Sequence, residues 1–139
     1  MKTLTEEEYK KHKDINLKDL WKHNCPFCND KYMESSVIWR WKFFYIAFPL
    51  CQYLWIKNHL MVIPYKHRKY TYEMSKNEFW ELKEVEKFMK DYYKEEDYFS
   101  FVRESMWKRS IEHLHYHFLP WVVNSWISEM LKKQWFPKN

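Results

Sequence analysis

The chain of 139 residues contains no glycine. About 7%, roughly ten residues at this length, would be ordinary. Glycine takes positive φ at no steric cost, so a domain without it must build its turns and helix ends from Asn, Asp or strained backbone. The same chain carries nine tryptophans, at Trp21, Trp39, Trp41, Trp55, Trp80, Trp107, Trp121, Trp126 and Trp135.

Composition otherwise describes a globular domain. Apolar residues make up 46% and charged residues 31%, which excludes a disordered charged tail. No stretch approaches the roughly 18 uncharged apolar residues of a membrane span. The start, Met1-Lys2-Thr3-Leu4-Thr5-Glu6-Glu7-Glu8, has no apolar signal core, so a cytoplasmic protein without membrane attachment is expected. Net charge is +5, but the 24 Lys and Arg are interleaved with 19 Asp and Glu. That favours anionic ligands in general and predicts no sequence-specific nucleic-acid binding.

Without repeats or low-complexity linkers, residues 1–139 read as one domain, with a helical extension over 1–24 and a helical tail over 121–139. Residues 5–13 suit a short charged helix. Val37 to Phe48 is β-branched and aromatic, which predicts two paired strands. Asn58 to Pro64 reads as a buried strand stopped by proline. Ser75-Lys76-Asn77-Glu78 is a capping box that opens a helix reaching about Glu96, with Phe79, Leu82, Val85, Phe88, Met89 and Tyr92 at the helical period. Strands are expected over Tyr98 to Arg103 and Ser110 to Leu119, and Ser125 is placed to cap a last helix. This order predicts an α+β domain: an antiparallel sheet with one long helix packed on it.

His113-Leu114-His115-Tyr116-His117-Phe118-Leu119-Pro120 alternates histidine with bulky apolar residues. On a strand the three histidines share one face, while Leu114, Tyr116 and Phe118 enter the core. A histidine-rich surface strand and a three-histidine metal site are the plain alternatives. The second is sterically awkward, because same-face neighbours diverge.

Together with His59-Leu60-Met61-Val62-Ile63-Pro64-Tyr65-Lys66-His67, this segment resembles the histidine triad (HIT) superfamily of nucleotide hydrolases and transferases. The likeness runs from about Cys25 to Pro120. It implies that His115 is the nucleophile toward an α-phosphorus, that His117 assists the leaving group, and that His59 lines the same phosphate site. It places Ser110 against the phosphate. The stretch Arg103 to Ser110 departs from the family's glycines and amide side chain; Arg103, Lys108 and Arg109 either add positive charge for phosphates or form a solvated basic loop. Transferase and phosphorylase branches carry glutamine where this chain has His117, so hydrolysis of a nucleoside phosphoramidate or dinucleoside polyphosphate is implied. The other readings are a nucleotidyl transferase or phosphorylase, and a catalytically weak nucleotide- or zinc-binding interaction protein.

Cys25-Pro26-Phe27-Cys28 is a CxxC knuckle, which inside a cell reads as metal or redox before structural disulfide. Zinc needs two more ligands. The resemblance to zinc-bearing HIT-like proteins supplies His67 and His113, completing a structural zinc site with Cys25 and Cys28. Cys51 stands apart, and His12 and His23 lie in polar segments. The loop Phe48-Pro49-Leu50-Cys51-Gln52-Tyr53 lacks the carboxylate that many relatives use on the ribose. A homodimer through Phe88, Tyr92 and Tyr93 is possible on the same resemblance, and these residues suit a core equally well.

Several of the tryptophans fall at poor positions. Trp107 precedes the histidines where HIT proteins commonly have glycine. Trp121 follows Leu119-Pro120, and Trp135 occupies the place of a helix C′ glycine. Some bacteria read UGA as glycine, while a common alternative table reads it as tryptophan. A gene of that kind translated with the wrong table explains both the surplus and the deficit. TGA codons at most of the nine positions are the expected result of reading the gene; TGG codons there would remove the explanation.

Overall fold

The computed structural model describes residue 7 and residues 25–49, 57–104 and 111–120. The remainder of the extension, the tail with its Ser125 cap, Cys51, Arg109 and Ser110 lie outside the described residues.

Pro26–Cys28 form a 3-10 turn and Asp30–Met33 a short helix, α1, whose cap Asn29 accepts from the Lys31 and Tyr32 amides. Strands β1 (Val37–Arg40), β2 (Phe44–Ala47) and β3 (Leu60–Pro64) follow. Helix α2 spans Lys76–Tyr93 and is succeeded by β4 (Tyr98–Val102) and β5 (Tyr116–Pro120). The strands make one antiparallel sheet in the order β1-β2-β3-β5-β4. This is the α+β arrangement the pattern predicts.

Both faces of the sheet are covered, so β2 and β3 are buried at every position and read as unbroken apolar runs. On one face Phe44, Ile46, Leu60, Val62, Leu114 and Phe118 pack with Val85, Met89 and Tyr93 of α2. On the other, Tyr45, Ala47, Met61 and Ile63 pack with Phe27, Met33 and Ile111. The capping box at Ser75 and Glu78 forms as predicted. Phe79 departs from expectation: it is 46% exposed, because the stripe that meets the sheet runs through Val85, Met89 and Tyr93 and leaves Phe79 on the flank.

Three element ends also differ. α2 stops at Tyr93 rather than Glu96, since Lys94 takes φ 55° while its amide still donates to the Lys90 carbonyl. β3 starts at Leu60 rather than Asn58, which sits at φ 56°. β5 starts at Tyr116 rather than Ser110. Ahead of it the Leu114 amide donates to the Arg68 carbonyl (2.6 Å), so this segment bonds to a loop and not to a strand.

Missing glycine shapes the β1–β2 turn. Trp41 N–H donates to the Phe44 carbonyl across Lys42-Phe43, a length of loop that ordinarily selects a primed turn with positive φ. Neither Lys42 nor Phe43 has positive φ. Instead Glu81 of α2 accepts from the amides of Lys42 (3.0 Å), Phe43 (2.7 Å) and Phe44 (2.9 Å). Three successive N–H groups converging on one carboxylate make a strong anion cradle. The helix thereby holds a turn that its own residues favour weakly.

Candidate active site and metal centre

The site is built where the segment before β5 crosses the end of β3. Antiparallel register sets Met61 opposite His117, and Phe101 opposite His117 on the other side. His59 lies just upstream of β3, and its Nε2 shares a 2.8 Å hydrogen bond with His117 Nδ1. The Phe101 ring stacks on His117 (centroids 4.6 Å apart, planes 13°). His115 meets His117 edge-on at 4.8 Å. The alternation read from the sequence survives outside the strand, with Leu114, Tyr116 and Phe118 on the helix side.

His115 Nδ1–H donates to the His113 carbonyl at 2.8 Å. That bond fixes the tautomer in which Nε2 carries the lone pair, the arrangement a nucleophilic imidazole needs. His59, His115 and His117 are all buried. Burial first, then the neighbouring His115, lowers the His59 pKa to about 3. Burial first, then His115, His59 and Arg103, lowers that of His117 to about 2. Two buried rings sharing one hydrogen bond are neutral near pH 7. Arg103 follows β4 directly, two residues beyond Phe101, and its charge is felt at His117.

His113 faces elsewhere. Its Nε2–H donates to the Pro64 carbonyl at 2.6 Å, so the Nδ1 lone pair is directed at the knuckle, 3.4 Å from both Cys25 Sγ and Cys28 Sγ. Cys28 Sγ is 3.5 Å from His67 Nδ1, and the four ligand atoms lie within 4.8 Å of one another. Zinc bond lengths of about 2.3 Å to sulfur and about 2.0 Å to nitrogen give tetrahedral S···N edges of about 3.5 Å. The donor set therefore fits a zinc ion, and the Pro64 carbonyl supplies the usual outer partner of a ligating imidazole. Both cysteines are free thiols. Burial, then Cys25, pushes the Cys28 thiol up to about 11, a shift that a bound cation reverses.

The structure thus brings Cys25, Cys28, His67 and His113 into one cluster and His59, His115 and His117 into an adjoining one. Phe27 joins them: buried between the two cysteines in sequence, it packs edge-on to His113 (5.8 Å) and His115 (5.1 Å). Tyr45 O–H donates to the Phe27 carbonyl at 2.7 Å and pins the knuckle to β2. Sequence reasoning missed both residues. Phe27 had a signal in its place inside the CxxC, whereas the partners of backbone carbonyls leave none.

The family model described as "Protein similar to CwfJ C-terminal" matches residues 10–136, and the chain belongs to that family. Its fold is that of the HIT superfamily. Among solved structures it is similar to a HIT family hydrolase from Clostridium thermocellum, at 20% identity over 70% of this chain and 90% of that one, TM-score 0.57. A HIT family member from Bacillus subtilis matches at 20% identity over 70% and 72%, TM-score 0.53. Plasmodium falciparum diadenosine triphosphate hydrolase, in complex with cyclomarin A, matches at 15% identity over 68% and 77%, TM-score 0.53. At these identities the likeness is one of fold. No curated protein matches the chain. Among the described residues no helix is long and apolar enough to cross a membrane.

The depressed imidazoles have a consequence for stability. On unfolding, His59 and His117 regain ordinary values near 6.5 and bind protons that the folded state refuses. Their contribution is complete above pH 6.5 and is lost as pH falls from there toward about 3. Urea unfolding should show stability dropping by roughly 1–3 kcal/mol more between pH 7 and pH 5 in the wild type than in His59→Gln/His117→Gln. Parallel pH profiles for the two proteins would refute the neutral pair.

Proposed function

We propose that this protein hydrolyses a nucleoside phosphoramidate or a dinucleoside polyphosphate through a nucleotidyl-histidine intermediate. The observation that carries the reading is the 2.8 Å bond from His115 Nδ1–H to the His113 carbonyl, beside the coupled His59 and His117. In the first step His115 Nε2 attacks the α-phosphorus. The P–Nε2 bond forms as the bond to the leaving group breaks: a nucleotide departs as its anion, and an amine departs with a proton taken from solvent water, with His117 hydrogen-bonding the departing atom. In the second, water attacks the same phosphorus, P–Nε2 breaks to restore neutral His115, and the water proton is released to solvent. Hydrogen bonds from neutral imidazoles strengthen as charge grows on the phosphate oxygens.

Several observations support this reading. His117 is the third histidine, where transferase-type relatives have glutamine, which favours water as the acceptor. Arg103 adds positive charge at His117. Ser110 is assigned to the phosphate on the sequence resemblance, and Arg109 next to it is assigned there as a source of positive charge. Solved neighbours of the same fold include a diadenosine triphosphate hydrolase and HIT family hydrolases. The substrate partner is accordingly a nucleotide, and a cytoplasmic location suits it.

Zinc held by Cys25, Cys28, His67 and His113 has a structural role in this proposal, tying the knuckle to the segment ahead of β5. His113 is spent on that task, which leaves His115 and His117 for the phosphate.

Turnover of an adenosine phosphoramidate or a diadenosine polyphosphate tests the activity. His115→Ala should lose about a thousandfold or more in kcat, and His117→Ala about a hundredfold with nucleotide binding retained. A rapid denaturing quench of the wild type at alkaline pH should trap a nucleotide on His115. Near wild-type rates in His115→Ala would end the covalent mechanism. An inactive wild type that still binds nucleotide would favour the interaction-protein reading.

Metal analysis of protein purified without chelator should find about one zinc per chain, lost in Cys25→Ser or Cys28→Ser together with thermal stability. Metal-free protein of full stability would remove the zinc.

A further inference from the structure

Tyr93, the last residue of α2, is 3% exposed and has no part in the chemistry above. Its hydroxyl lies 2.6 Å from the Asn58 carbonyl and 3.1 Å from the Phe118 carbonyl. Asn58 immediately precedes His59, and Phe118 immediately follows His117. One phenol therefore joins the two chain segments whose imidazoles meet at 2.8 Å. The shorter contact takes the O–H proton, with the second carbonyl as the longer acceptor.

The surroundings fix that hydroxyl. Tyr93 stacks on Tyr98 of β4 (4.7 Å, 16°) and meets Tyr92 edge-on (5.0 Å, 86°). Burial, above all, holds the phenol far above its usual range, so it stays a donor. Asn58 itself sits at φ 56°, a left-handed conformation that asparagine tolerates but does not choose alone. The Tyr92 hydroxyl reaches its side-chain oxygen at 3.5 Å. Two consecutive tyrosines thus hold the residue that sets where His59 begins.

We propose that Tyr93 is a positioning residue of the site: its hydroxyl, by holding the Asn58 and Phe118 carbonyls together, sets the separation of His59 and His117. The functional weight of that spacing rests on the hydrolase reading above; the clasp itself rests on the geometry alone. Neither carbonyl can shift without losing the shared donor, so the spacing is defined by α2, an element outside the site.

The test compares Tyr93→Phe, which keeps the ring and deletes the hydroxyl, with Met89→Ala, which loosens the same core away from the histidines. Long-range proton–nitrogen NMR at neutral pH reads the imidazole nitrogens of His59 and His117. In Tyr93→Phe they should lose the shifts of a hydrogen-bonded pair, and kcat on an adenosine phosphoramidate should fall about tenfold with KM within about twofold. Met89→Ala should lose comparable melting temperature and move neither readout. Unchanged nitrogen shifts in a destabilised Tyr93→Phe would overturn the proposal. In the wild type, the Tyr93 hydroxyl proton should be visible and protected from exchange with water; exchange at the solvent rate would overturn it too, even if the variant fails to fold. A wild type that turns over no nucleotide would defeat the hydrolase reading, while the nitrogen shifts would still decide the clasp.

Discussion

His113 is bonded at both ring nitrogens, and the site is arranged around that fact. Nε2–H is committed to the Pro64 carbonyl at the end of β3, and Nδ1 is directed at two sulfurs. Next to it, the Leu114 amide is committed to Arg68. With those groups engaged, this stretch cannot pair as a strand, and its backbone is set by the 65–68 loop and the knuckle. The His113 carbonyl then stands where His115 Nδ1–H finds it. A residue whose side chain belongs to the cysteine–histidine cluster orients the proposed nucleophile through its main chain.

A sheet covered on both faces makes such precision possible. α2 closes one side, and the knuckle with α1 packs on the other, so the imidazoles at the sheet surface are largely buried. Burial keeps His59 and His117 neutral, and neutral rings can donate to phosphate oxygens without first releasing a bound anion. The long helix does more than cover. Its Glu81 holds the β1–β2 turn and its Tyr93 reaches the ends of β3 and β5. With Lys42 and Phe43 as its two turn residues, the β1–β2 connection is held by a helix side chain where a primed turn would otherwise have secured itself.

Much of this was legible in the residues. The alternation from His113 to Phe118 names its two faces, because side-chain direction on an extended chain depends only on parity. The apolar run ending at Pro64 marks a buried strand, and Ser75 with Glu78 marks the start of α2, since a capping box is local chemistry. The ends of elements were less legible. β5 begins six residues later than the pattern suggests, because the Leu114 amide found its acceptor in Arg68, 46 positions away in the chain. Phe79 obeys the helical period and yet faces outward, because period fixes a stripe and not the angle at which the sheet meets it.

The sequence by itself determined the fold class, the identity of the two histidine groups and the pairing of the knuckle with His67 and His113, because these follow from local pattern and from resemblance to a known motif. Only the tertiary structure decided which nitrogen of His113 faces the sulfurs, which tautomer His115 holds, and that Phe27, Glu81 and Tyr93 matter. Each of those depends on where a backbone carbonyl or amide of a distant segment comes to rest. Every residue has such groups, so their positions leave no mark in composition, period or spacing.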